Sequence, residues 1–199
     1  VTFIPSIGIS GDLGNCSYDT SAKTQKISFQ EFNFIDANGL LVFNKSRFTL
    51  RYDVDIGYTK TTDLMKFGDL DVSGYTFGFG LGAGYSFLNT KRITLALTGI
   101  IGMHYTDFGE HKTNIFISGI NCSYKRKLNM FDVRLGYDFE TALRFTNHFG
   151  MSAGLRMSAL VGSLSYTYDA IENAGNDASK IYDVKGFEVT PRICVCWFM

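Results

Sequence analysis

Residues 74–87 read GYTFGFGLGAGYSF and alternate without a break. Tyr75, Phe77, Phe79, Leu81, Ala83, Tyr85 and Phe87 share one face, and Gly74, Thr76, Gly78, Gly80, Gly82, Gly84 and Ser86 share the other. A period of two is that of a strand, whereas a helix repeats at about 3.6 residues. Each of those glycines would also weaken a helix by about 1 kcal/mol. The stretch contains GxxxG spacings and a GxGxxA match at Gly78, Gly80 and Ala83. A dinucleotide loop, however, needs its glycines between a strand and a helix, and these lie inside a strand pattern.

The alternation recurs over 47–59, 93–105, 131–145, 149–161 and 187–199, and in none of these does the apolar face carry a charge. Residues 1–10 alternate more weakly, and 29–43 are apolar but interrupted by Asp36, Asn38 and Gly39. Together these segments predict eight strands. Tight turns are expected at 43–48, 87–93 and 145–149, and longer polar loops at 11–28, 60–71, 107–129 and 167–185. Each clear segment supplies the roughly 9–11 residues that cross a bilayer as a strand. Short connections at one end and long ones at the other are the signature of an up-and-down membrane barrel. The sequence therefore predicts an all-β fold: an eight-stranded antiparallel up-and-down transmembrane β-barrel, one domain over 1–199 with three short turns and four longer loops. The core on which the apolar faces pack is lipid.

The other face must then fill the lumen. In an eight-stranded barrel the interior is just wide enough for side chains. The faces pointing there carry Arg47, Arg51, Arg134, Arg144, Arg156 and Arg192 together with Asp53, Asp55, Asp132, Asp138, Glu140 and Glu188, and no lysine. The planar guanidinium matches carboxylates with paired hydrogen bonds, and a confined interior penalises an unpaired charge. The expected interior is a paired ionic network that plugs the lumen; the plainer reading leaves some of these charges at wet strand ends. The glycine face of 74–84 leaves room for the large side chains opposite. If Phe145 and Phe149 face each other across the turn, Arg156 falls opposite Asp138. Pro5 and Pro191 each lack a ladder donor and are expected at the seam between the first and last strands.

Composition removes some alternatives. The formal net charge is zero, so no electrostatic case for nucleic acid arises. The chain begins directly in a strand-like segment, for which a cleaved signal peptide is the expected explanation. The four cysteines have no zinc spacing, Cys194 and Cys196 being CxC. Those two fall on the lumen face as small fillers. Cys16 and Cys122 fall in separate expected loops, where an oxidising compartment would permit a disulfide. His104 lies near Asp107 and Glu110, and Asp138 lies two residues from Glu140. Either set can be read as acid–base machinery, but the surrounding arginines favour structural pairing. His111 falls in a loop and His148 in a turn. No catalytic residue, metal site or cofactor is assigned.

With these features the chain resembles the small eight-stranded bacterial outer-membrane proteins of the OmpA membrane-domain, OmpX and OmpW types. The resemblance covers nearly the whole chain and rests on strand count, turn–loop asymmetry and the closing FEVTPRICVCWFM. That family usually ends in an outward phenylalanine read by the insertion machinery; here Trp197 and Met199 take the outward positions. The resemblance implies an outer-membrane location with periplasmic turns and extracellular loops. It also implies outer-membrane lipid and the insertion machinery as partners, and a host or envelope ligand at the loops. The third loop is basic, with Lys112, Lys125, Arg126 and Lys127, and the fourth acidic, with Asp169, Glu172, Asp177 and Asp183. The expected function is that of a surface barrel acting through its loops in adhesion, binding or envelope integrity. The alternative is a narrow channel for small, possibly hydrophobic, molecules, and a lipid-modifying enzyme comes third.

Overall fold

The computed structural model describes residues 1–19, 24–62, 72–117, 120–170 and 178–199. Glu172 and Asp177, and the side chains of His111, Lys112, Cys122, Lys125, Arg126, Tyr166, Tyr168 and Asp169, lie outside the described part. The strands are β1 (Thr2–Asp19), β2 (Thr24–Val42), β3 (Phe48–Thr62), β4 (Val72–Asn89), β5 (Ile93–Ile117), β6 (Ile120–Arg144), β7 (Phe149–Ala170) and β8 (Ala178–Trp197). Each pairs antiparallel with its sequence neighbour, and β8 closes onto β1. Closure gives every strand two neighbours, so the sheet has no edge strand.

The three short turns are closed by local hydrogen bonds. Arg47 N donates to Phe43 O at 2.7 Å, and Phe149 N donates to Thr146 Oγ1 at 3.0 Å. Arg47 occupies the left-handed region at φ 57°.

The strands run further than the sequence pattern indicated. Most of 11–28 and 107–129, expected as loops, lies in β1, β2, β5 and β6. The reason is an inversion of polarity. Nearer the turns the outward face is apolar, with Ile9, Phe32, Phe131 and Phe187 exposed. Further up, Asn15, Lys26, Ser28, Asp183 and Lys185 point outward, while Tyr18, Ile27, Phe29, Leu128, Leu160 and Leu164 are buried inside. There the strands read as a polar barrel around an apolar core, and a search for apolar outward positions takes them for loops. In β2 a bulge between Asn33 and Ile35 also shifts the inward set from odd to even residues, which is why 29–43 alternates poorly.

The interior is stratified. At the turn end Ile4, Leu40, Val42, Ala96, Ala142, Cys196 and Phe198 form an apolar layer. At the loop end Cys16, Tyr18, Ile27, Phe29, Phe108, Leu128, Met130, Leu160, Leu164 and Val184 form a second. Each fully buried large side chain stabilises the fold by roughly 1.5–3 kcal/mol relative to exposure. The charged residues lie between the two layers.

Candidate functional site: an ionic lumen between apolar layers

Strict alternation on β3, β6, β7 and β8 delivers the charged side chains to one interior, where they form two tiers. In the tier nearer the turns, Arg51 Nε donates to Asp53 Oδ1 at 2.8 Å, and Arg51 Nη1 also bonds Glu140. Arg156 reaches Asp53 at 3.0 Å and Asp138 at 3.3 Å. Arg192 forms a two-pronged pair with Asp138 and approaches Glu140 at 3.4 Å. Three guanidiniums thus meet three carboxylates, all buried.

The tier nearer the loops is built around Arg134. Its Nε donates to Asp132 at 2.8 Å, and its Nη1 lies 2.7 Å from Glu188. Asp12 and Glu31 lie 3.5 Å and 3.6 Å away. Asn33 donates to Asp12 at 3.2 Å, Ser158 to Glu188 at 2.9 Å and Thr59 to Glu31 at 3.1 Å. Asp55 faces His104, with Oδ2 3.6 Å from Nδ1.

The glycines of β4 make this packing possible. A Cβ on Gly78 would fall 2.2 Å from Asp55 Oδ2 and 2.4 Å from His104 Cε1. Gly154 on β7 does the same for Arg192, whose Nε lies 2.6 Å from where a Cβ would sit.

Of the twelve charged residues assigned to the lumen from the sequence, the structure gathers Arg51, Asp53, Asp55, Asp132, Arg134, Asp138, Glu140, Arg156, Glu188 and Arg192. Arg47 is not among them. It sits exposed in the first turn, ahead of the first β3 residue, and donates to Phe87 O at 3.2 Å. Arg144 stands at the end of β6, half-buried, with its guanidinium 4.1 Å from the centre of the Phe198 ring. It therefore belongs to the apolar layer as a cation–π partner. His104 does not join Asp107 and Glu110: Asp107 accepts from Gly109 N at 2.8 Å, and Glu110 is exposed.

Asp36 and Asn38, which interrupt the apolar run 29–43, are buried in the interior, and Asp12, Glu31 and Asn33 are further interior residues that sequence reasoning missed. Asp12 lay in an expected loop, and the β2 bulge hid the parity of the other two. Cys16, also expected in a loop, is a buried free thiol on β1. It lies above the apolar belt, and burial pushes its pKa up to about 12.

No family model matches the chain, and no curated protein sequence matches it. Among solved structures, the outer membrane protein OprG of Pseudomonas aeruginosa is similar with a TM-score of 0.59 at 11% identity, over 100% of this chain and 95% of that one. The outer membrane protease OmpT of Escherichia coli aligns with a TM-score of 0.48 at 9% identity, over 100% and 96%. Neisserial surface protein A aligns at 0.33 and 14% identity, over 96% and 95%. The closed antiparallel topology and the likeness to OprG define the fold as a closed eight-stranded β-barrel of the outer-membrane type.

Proposed function

We propose that the protein is a bacterial outer-membrane surface barrel with a plugged lumen, acting through the end opposite its short turns in adhesion, ligand binding or envelope integrity. The observation that carries this reading is the stratified interior. Among the described residues an apolar layer, two ionic tiers and a second apolar layer of buried side chains succeed one another along the axis, the arrangement expected of a plug. The strands continue past the apolar belt to lengths of 25 residues in β5 and β6. In this reading the far strand ends stand clear of the lipid. In this reading the turns are periplasmic, the protein reaches the membrane after signal-peptide removal, and the last strand engages the insertion machinery. The reading as a plug also rests on Asp53, Asp132, Asp138, Glu140 and Glu188, five interior carboxylates that each pair with an arginine.

The test is single-channel recording of the purified protein in planar bilayers. Absence of steady current supports a plugged barrel; large steady currents refute it. One observation favours the second reading, a narrow conduit for small hydrophobic molecules: the loop end of the lumen is apolar, lined by Tyr18, Phe29 and Phe108. Saturable binding of an apolar fluorophore, lost in Phe29→Asp, would promote that reading.

A further inference from the structure

The two ionic tiers differ in balance. The one nearer the turns matches three arginines to three carboxylates, whereas Arg134 faces Asp12, Glu31, Asp132 and Glu188, with Asp55 beside them. Among the described residues no second guanidinium or ammonium makes an ion pair in that tier. The nearest other base is His104, 2% exposed.

Three of these groups converge. Glu31, Asp55 and His104 each offer a ligand atom within 4.8 Å of the others, and all three are buried. Asp55 Oδ2 and His104 Nδ1 have no hydrogen-bond partner, nor do Glu31 Oε1 and Asn33 Oδ1. The space is built rather than incidental. Gly78 clears the side of Asp55 and His104, and Gly57 clears that of Asn33, whose Oδ1 would lie 2.1 Å from a Cβ there. Thr59 donates to Glu31 Oε2 and leaves Oε1 free, the kind of outer hydrogen bond that orients a ligating carboxylate.

We infer that Glu31, Asp55 and His104 hold a single divalent transition-metal ion of the zinc class inside the barrel. An imidazole nitrogen with two carboxylates is a donor set for such an ion at about 2.0–2.2 Å. Calcium would ask for six to eight oxygens. Modest rotations of the three side chains would draw the ligand atoms together. The ion offsets part of the negative excess around Arg134 and ties β2, β3 and β5 together above the balanced tier. The inference goes beyond the surface-barrel reading and is separable from it: conductance tests the plug, and metal content tests the ion.

The test uses the whole chain refolded from urea into detergent micelles, because both ends of the lumen are packed and the ion enters as the barrel forms. Refolding with Zn2+, with Ca2+ or with EDTA is followed by desalting, metal analysis and thermal melting. The expected result is about one zinc per chain, a higher melting temperature with Zn2+ than with EDTA, and at least tenfold weaker zinc binding in both His104→Ala and Glu31→Gln. Glu31→Gln keeps the side-chain shape, so one variant remains informative if His104→Ala does not fold. Refolded wild type with no bound zinc and no EDTA effect would show that protons, not a metal, neutralise the tier, and would overturn the inference. Calcium retained in place of zinc, or zinc retained by both variants, would overturn it too.

Discussion

Asp138 sits directly across the β6–β7 ladder from Arg156, and Arg156 Nε donates to its Oδ2 at 3.3 Å. The pair is not isolated, because Arg51 and Arg192 also approach Asp138. Removing the carboxylate therefore leaves three buried guanidiniums short of a partner. Removing Arg156 leaves Asp138 with two arginines and Asp53 with Arg51. Breaking a buried pair from the side that strands charge costs about 3–5 kcal/mol. Asp138→Ala is expected to fall in that range, and Arg156→Ala nearer the roughly 1–3 kcal/mol of one lost charged hydrogen-bonding partner. Urea unfolding in micelles checks the order; an Arg156→Ala loss larger than that of Asp138→Ala would contradict it.

That pair was legible in the sequence because a short turn at 145–149 fixes the register and the charges keep strict parity. The same logic placed Arg192, Glu140 and the glycine face of β4. It stopped where the environment of the strands changes. Asp12 and Cys16 follow the same even-numbered inward parity as Ser6 and Ser10, but the outward positions beside them, Gly11, Leu13, Asn15 and Ser17, include a single apolar side chain, so the segment reads as a loop. Glu31 and Asn33 were hidden by a one-residue bulge, which no periodicity reveals in advance. Arg47 failed for the opposite reason: it matches the strand parity but lies one residue before the strand, in the turn.

Glycines on the two faces of β4 and β5 should differ in tolerance. A Cβ on Gly84, facing inward, would fall 2.0 Å from Leu97 O, which is ladder backbone and cannot yield locally. A Cβ on Gly99 meets nothing nearer than Ala83 O at 3.7 Å. Gly84→Ala is expected to cost about 1–3 kcal/mol or more, and Gly99→Ala within about 0.5 kcal/mol of zero. Melting curves of the two variants decide it, and equal losses would count against the close approach.

Cys16 should be chemically silent in the folded barrel. It is 4% exposed, and burial raises its thiol pKa to about 12. Because the raised value lies above the unfolded one, the thiolate fraction at pH 8 falls far below that of a free cysteine, and the thiolate is the reactive form. In a Cys122→Ser background, maleimide at pH 8 should label the folded protein hardly at all and label it fully in urea. A disulfide between Cys16 and Cys122 is not expected either, so wild-type gel mobility should be unchanged by reductant. Rapid labelling of folded protein at position 16 would refute the burial.

The seam between β1 and β8 is expected to be the weakest ladder in the wall. Pairing there runs Ser10 to Arg192 and resumes at Leu13 with Val189, leaving Gly11 and Asp12 unpaired opposite Pro191 and Thr190. On its other side Pro191 keeps its place opposite Leu155 without a break. A proline has no N–H to give the ladder, and the interruption lies beside it. The wall is also indented there, with a cleft of about 250 Å³ lined by Ile9, Gly11, Phe32, Pro191 and Ile193. The β6–β7 ladder has no such gap from Tyr124 to Arg144. Local opening with few ladder bonds costs less free energy. Amides of 11–13 should therefore exchange at least about tenfold faster than those of 133–137, which lie in the same apolar belt and share its shielding by lipid. Pro191→Ala restores a donor and should slow exchange at 11–13 while leaving 133–137 unchanged. Residue-resolved hydrogen exchange by NMR in micelles reads both. Uniform protection around the barrel, or no response to Pro191→Ala, would remove the proline as the cause of the weak seam.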